Sequence, residues 1–234
     1  MLVRGFPAQA FDTNCYVVAP GQGEQCVVVD PGIGVEQQLD DLLREHRLQP
    51  VAVLLTHGHL DHTFSVTPVC GAKGIPAFIH PHDRDQLADP AKYLSPQAGA
   101  IFGGRLEWTE PGDVRLLDPA VPLELAGLRI SVDLAPGHTA GSVVFRLPGD
   151  GEDSESAAPL LLSGDVLFAG SVGRCDLPGG SWAAMQTSLR EVILPMADET
   201  VVLPGHGPST TIGRERVSNP YLQDLAGPPA SRGL

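Results

Sequence analysis

An α/β protein whose sheets are covered by helices is what this sequence predicts, on three observations. Short apolar, β-branched runs recur along the chain, each bounded by Gly, Pro or Asp. Two longer stretches carry a helical period instead. The two kinds of segment do not alternate as a regular βαβ repeat, which sets aside a barrel or a Rossmann unit.

In chain order the strand-like runs are Cys15–Ala19, Cys26–Asp30, Val51–Thr56, Ala77–Ile79, Leu128–Leu134, Ser142–Leu147, Leu160–Ser163 and Thr200–Leu203. The opening half is therefore strand-rich and hairpin-like. The first helix spans Val35–His46, with Val35, Leu39, Leu42 and Leu43 on one face. The second spans Ser181–Leu194, with Trp182, Met185, Leu189, Val192 and Ile193 on one face. Ser181 offers an N-cap hydroxyl and Pro195 a stop. Asp150–Pro159 is acidic and small, a surface loop between two strands. Residues 1–234 read as one domain, with 221–234 a flexible tail.

A chain of 234 residues can bury roughly 70–75% of the surface that its unfolded form exposes, so a substantial core is available. Twenty-seven glycines and 22 prolines imply many loops. Fifteen basic against 28 acidic residues give a formal charge of −13, a field that repels nucleic acid and anionic membrane. Neither is expected as a partner, and a nuclease would need a basic track for phosphates. Cys15, Cys26, Cys70 and Cys175 form no C-x-x-C pair and read as reduced structural thiols. The N-terminal stretch has no long apolar segment and no run of eighteen apolar residues occurs, so a soluble cytoplasmic protein is expected. The sequence is silent on oligomeric state.

The chemistry concentrates in His57-Gly58-His59-Leu60-Asp61-His62, directly after the apolar run VAVLLT. Three imidazoles and a carboxylate within six residues are the donors that divalent metals prefer, and burying them without an ion would be costly. In an extended segment residues two apart point the same way. His57 and His59 can then serve one ion while Asp61 and His62 turn toward a second, with Gly58 permitting a tight backbone. Three more donors follow strands: His138 after ISVDLAPG, Asp165 after LLLSG and His206 after VVLPG. Ligand sites gather beyond the carboxyl ends of strands, and four strand ends each deliver a metal-type side chain. Five His and two Asp suffice for two ions if one carboxylate, Asp165, bridges them. Zn2+ is the metal most compatible with so many imidazoles, while Fe2+ or Mn2+ also accepts this set.

The motifs T-H-x-H-x-D-H, G-H-T, G-D after a strand and P-G-H-G resemble the metallo-β-lactamase superfamily across nearly the whole chain. That resemblance implies an αββα four-layer sandwich, two mixed sheets face to face with helices outside, and a metal pair in a cleft at one edge. Asp61 beside His62, the stretch GDVLFAGSVGRCDLPGGS and the ending LPGHGPSTTIGRERVSNPY resemble the glyoxalase II branch, hydrolases of S-acyl thioesters of small thiols. Carried over residue by residue, the likeness gives His57, His59 and His138 to the first metal and Asp61, His62 and His206 to the second. Asp165 joins both, and Asp61 takes part in catalysis. It also implies a small anionic thioester as substrate, attacked by a hydroxide bridging the two ions.

Arg174 lies near where that family places a basic residue for the thiol's carboxylate, although a surface or structural arginine is the alternative. Only 28 residues follow His206, fewer than the C-terminal helical domain of the best-known pattern needs, which leaves the thiol's identity open. Persulfide dioxygenases share this superfamily and its ligands but use one Fe2+, and lactonases or β-lactamases differ in the acyl substrate. Asp30, before Pro31-Gly32, reads as a carboxylate behind the ligands or a turn former. His80 and His82 read as loop or surface histidines, His46 as a helix C-terminal residue and Cys175 as structural.

Overall fold

The computed structural model describes residues 1–94, 108–149 and 158–226. The expected loop over Asp150–Pro159 falls almost entirely outside them.

Among the described residues two six-stranded mixed sheets make the frame. The first is built in chain order from β1 (Leu2–Pro7), β2 (Asn14–Ala19), β3 (Gln25–Val29), β4 (Gln49–Leu54), β5 (Ala77–Ile79) and β6 (Val114–Leu116). Its first three strands pair antiparallel and the next three add in parallel. The second sheet comprises β7 (Leu123–Leu125), β8 (Leu128–Leu134), β9 (Val143–Leu147), β10 (Leu160–Gly164), β13 (Val201–Pro204) and β14 (Thr210–Thr211). There β10 and β13 run parallel and the other pairs antiparallel. A short hairpin, β11 (Leu167–Phe168) and β12 (Ser171–Val172), stands apart.

Alternation of side chains turns these sheets into a four-layer sandwich. In β2, Cys15, Val17 and Ala19 face one core while Tyr16 and Val18 face another. The helices after β3 are α1 (Glu36–His46), α2 (Leu60–Thr63), α3 (Val66–Lys73) and α4 (Arg84–Ala88). The first core fills the space under α1 and α3, with Leu39, Leu43, Val66 and Val69 meeting Val28 and Val53. The second lies between the sheets, where Val27, Val29 and Leu54 meet Ile130, Val132, Phe145 and Leu162. The third covers the far face of the second sheet, with Met185, Leu189, Ile193, Ile212 and Leu222 against Val144, Leu161 and Val202. Strands buried on both faces read as continuous apolar runs, which is why they stood out in the sequence.

The helices depart from expectation in places. The second expected helix forms as α5 (Trp182–Ser188), capped by Ser181 Oγ accepting from Ala184 N at 3.3 Å, then widens into a π-type turn at Leu189–Ile193. Trp182, expected on the helix's apolar face, is 43% exposed and stacks edgewise on Tyr221. The expectation of a tail from residue 221 is corrected over its first part. α6 (Ile212–Ser218) leads into α7 (Pro220–Ala226), and Leu222 is fully buried in the third core. Pro220 supplies the fixed φ that suits a helix start. Among the described residues no helix is long and apolar enough to cross a membrane.

Candidate metal centre

One edge of the sandwich collects the carboxyl ends of β3, β4, β8, β10 and β13. Each end hands over a titratable side chain: Asp30, the His57–His62 segment, His138, Asp165 and His206. After β4 the chain bends at Thr56 and His57, and His59 sits with extended backbone at the N-terminus of the single-turn α2 (Leu60–Thr63). That turn swings Asp61 and His62 back, so the His57 and His62 rings lie 4.2 Å apart. His206 is held across from the β1–β2 loop by a bridge to Thr13.

Among the described residues three sets of donors result, each with its ligand atoms within 4.8 Å of one another: His57, His59 and His138; His57, His62 and Asp165; and Asp61, His62 and His206. His59 Nδ1 approaches His138 Nε2 at 2.8 Å, and His62 Nε2 lies 3.3 Å from His206 Nε2. Asp165 spans the sets, with Oδ1 at 3.3 Å from His62 Nε2 and Oδ2 at 3.4 Å from His138 Nε2. Its Oδ2 is also 3.6 Å from His206 Nε2. Asp61 Oδ2 stands 3.3 Å from His206 Nε2 and accepts from Thr13 Oγ1 at 3.1 Å. All seven donors expected from the sequence thus meet in one place.

A layer behind them fixes the imidazole tautomers. His57 Nδ1 donates to Thr56 Oγ1 at 3.0 Å, and that hydroxyl donates on to Asp30 Oδ2 at 2.6 Å. His62 Nδ1 donates to the same Asp30 oxygen at 3.0 Å. The carbonyl oxygens of Arg174 and Phe11 accept from Nδ1 of His138 and His206, at 2.8 and 3.0 Å. With Nδ1 hydrogen-bonded outward, four of the five rings turn Nε2 inward, and His59 presents Nδ1.

Burial, then the neighbouring His138, pushes the His59 imidazole down to about 3. Burial and the surrounding imidazoles hold His57 far below its ordinary range as well. Burial raises the carboxyls of Asp61 and Asp165, but the charge of His62 beside each overcomes it and both lie below the usual range. For His62 burial pulls downward, yet Asp165 and Asp61 outweigh it and raise its proton affinity. The same negative field that favours a proton there favours a cation.

Two observations test whether these residues suit a metal. His57 Nε2 and Asp165 Oδ1 are buried without a hydrogen-bond partner. Each such orphan costs about 1–3 kcal/mol, and both are lone-pair donors that a divalent cation satisfies. The donor set of imidazole and carboxylate fits Zn2+, Fe2+ or Mn2+.

Above the donors opens a cavity of about 490 Å3 lined by Phe11, Ile33, Leu60, Tyr93, Leu94, Phe168 and Leu177. His59, Asp61, His138, Asp165 and His206 also reach it. Arg174 lines the same cavity, but its guanidinium is engaged by Asp176 through two hydrogen bonds of 2.8 and 2.7 Å. Its backbone carbonyl, not its charge, touches a candidate ligand. Asp30 fulfils both of its expected roles, turning the chain with φ of 50° and bracing the ligands. His80 is buried rather than on the surface, receiving a weak bond from His82 N, and neither histidine lines the cavity. His46 ends α1 and accepts from Arg4 Nε at 3.3 Å. The half-buried Cys175 has a thiol pushed up by burial and then by Asp176, as suits a structural role. Thr13 and the carbonyls of Phe11 and Arg174 were missed because backbone groups and lone threonines leave no spacing signal.

Residues 8–206 match the sequence profile of the metallo-beta-lactamase superfamily. A probable metallo-hydrolase of Bacillus subtilis is 32% identical, over 95% of this chain and 98% of its own. The hydroxyacylglutathione hydrolase GloC of Haemophilus influenzae is 30% identical, over 95% of this chain and 98% of its own. Among solved structures, the B3 metallo-beta-lactamase BLEG-1 superposes with a TM-score of 0.79 at 34% identity, covering 94% of this chain and 99% of its own. TTHA1623, crystallised in a di-iron-bound form, gives 0.74 at 36% identity, covering 94% and 100%.

Proposed function

The chain belongs to the metallo-beta-lactamase superfamily, and on that footing we propose that it is a binuclear metallohydrolase cleaving S-acyl thioesters of a small thiol. The observation that carries the binuclear part is Asp165, whose two carboxylate oxygens face ligands of both groups at 3.3 and 3.4 Å. The thioester part rests on the full-length similarity to a hydroxyacylglutathione hydrolase.

His57, His59 and His138 would hold one divalent ion, and Asp61, His62 and His206 the other, with Asp165 shared. When bound, such ions supply a water acidified to a pKa of about 7 and Lewis-acid polarisation of the acyl carbonyl. The chain's own contribution is orientation and exclusion. Asp30 and Thr56 lock His57 and His62 in the Nδ1–H form, and backbone carbonyls do the same for His138 and His206. Asp61 is steadied by the Thr13 hydroxyl so that its carboxylate stays toward His206. Phe11, Leu60 and Phe168 shield the acyl group from bulk water. A departing thiol of pKa roughly 8–9 leaves as thiolate, so no side chain has to act as its acid. The small substrate is anionic in this reading, drawn by the local positive charge of a loaded centre.

The test is metal analysis of the purified protein followed by a panel of S-lactoyl thioesters, a persulfide with oxygen monitoring, lactones and a β-lactam. Two equivalents of Zn2+, Fe2+ or Mn2+ with thioester turnover dominant is the expected result. One iron with oxygen uptake on the persulfide would replace this reading by a dioxygenase. Dominant lactone or β-lactam turnover would move it to those substrates.

A further inference from the structure

Behind the candidate ligands, and outside the cavity, lies a fully buried carboxylate that none of the chemistry above uses. Asp83 ends the tight turn Pro81–Asp83 that follows β5. Its Oδ1 accepts from Gly141 N at 2.7 Å. Its Oδ2 accepts from Gly58 N at 2.9 Å and from Thr139 Oγ1 at 2.6 Å. Gly58 lies between His57 and His59 on the first sheet's edge, while Thr139 follows His138 in the loop between β8 and β9 of the second sheet. One side chain therefore ties together the two backbone segments that carry the first donor group. The gap it spans is the one across which His59 and His138 approach to 2.8 Å.

The two glycines are required by this clamp. A Cβ on Gly141 would lie 2.6 Å from Asp83 Cγ, and one on Gly58 would lie 2.6 Å from Gln86 Cβ and 3.1 Å from the Asp83 carbonyl. Gly58 is thus demanded by close approach, not by its own backbone angles. The second group has a different brace, since His62 leans on Asp30 and His206 on the Phe11 carbonyl.

We propose that Asp83 is the positioning residue for the first metal group, setting the spacing of the His57–His59 segment against His138 across the two sheets. This rests on the metal-centre reading above. Both carboxylate oxygens are needed as acceptors. An amide at this position turns one end into a donor facing an N–H, so Asp83→Asn breaks the clamp with almost no change of shape.

The experiment is Zn2+ titration of the apo full-length chain against a competing chelator, with metal content after dialysis. Wild type is expected to hold two ions, and Asp83→Asn to hold one firmly and the other about 10–100-fold more weakly. Placed on His138→Ala, Asp83→Asn should add almost nothing, whereas on His206→Ala it should add its full effect. Equal weakening of both ions, no weakening, or additivity on both backgrounds overturns the assignment. Should Asp83→Asn fail to fold, Thr139→Val removes one bond of the clamp and Thr139→Ser keeps it. A selective loss of one ion in the first and retention in the second supports the clamp, and equal behaviour of the two overturns it. Wild type that binds no metal sinks the metal-centre reading, and this inference with it.

Discussion

His62 donates from Nδ1 to the buried Asp30 carboxylate at 3.0 Å, while its Nε2 lies 3.3 Å from Asp165 Oδ1. The ring is clamped between an acidic brace behind and an acidic ligand in front. Because Thr56 relays the same Asp30 oxygen to His57, one carboxylate orients imidazoles of both donor groups.

Replacing Asp30 by Ala should therefore weaken both ions, in contrast to the selective effect expected at Asp83. A drop of about 10–100-fold in affinity for each is expected from loss of an outer hydrogen-bond partner. The Thr56 amide, which donates to Asp30 Oδ1 at 2.8 Å, would be left unpaired in the interior, costing about 1–3 kcal/mol of stability. Chelator competition and urea unfolding read the two effects separately. Retention of wild-type affinity at both ions would show that Asp30 only turns the chain.

Asp165 is buried with Oδ1 unpartnered, so its carboxylate adds to stability mainly by meeting cations. Asp165→Ala should lose bound metal and thioesterase activity together. Chelation of the wild type should lower Tm by about 10 °C, as expected when a ligand present at roughly 1,000 times its Kd is removed from a domain of this size. Calorimetry with and without chelator, followed by readdition of Zn2+, checks this. An Asp165→Ala protein that keeps both ions would remove the bridging assignment.

How far the sequence disclosed this centre depends on the kind of group involved. The HGHLDH segment announced itself because three imidazoles in six residues have no inexpensive buried state other than a metal, and His138, Asp165 and His206 because each follows an apolar strand. The edge strand Leu2–Pro7 passed unnoticed, since its burial is confined to Phe6 and its other residues are partly or wholly exposed. Helix α3 also left no trace, because VTPVCGAK has poor helix formers and is helical through burial of Val66, Val69 and Cys70 under the first sheet. Asp83 was invisible for a different reason. Its importance lies in backbone donors 25 and 58 residues away, which only the fold brings near.

Arg174 invites a charge-based prediction with a twist. Its pair with Asp176 is well exposed, 62% and 67%, and such pairs contribute little to stability. Because the guanidinium is already engaged, Arg174→Ala should raise KM for an anionic thioester by less than about threefold with kcat unchanged, since such an exposed pair has little charge to spare. Asp176→Ala frees the cation at the cavity rim and should lower KM for the same substrate, an effect that fades as salt is added. Steady-state kinetics on matched anionic and neutral thioesters decides the matter. A large KM rise in Arg174→Ala would mean that substrate displaces Asp176 from the guanidinium.

The buried cysteines predict how stability responds to alkali. Burial pushes the Cys26 thiol up to about 12 and does the same for Cys70, with the charge of Asp113 adding at the latter. In the unfolded chain both thiols ionise near 9.0. Between those values the unfolded state binds fewer protons than the native one, so stability falls as pH rises through the window and is fully present below it. Each thiol contributes at most about 1.4 kcal/mol per pH unit to that slope. Cys15 and Tyr16 act in the same direction, raised first by burial and then by Asp30. Urea midpoints measured from pH 8 to pH 11 should fall steadily, and Cys26→Ala combined with Cys70→Ala should flatten the dependence even if it lowers the whole curve. A slope unchanged by the double substitution would mean that these thiols ionise in the native protein as readily as in the unfolded chain. In that case a thiol reagent would modify them at pH 9 without unfolding, which independently separates the two outcomes.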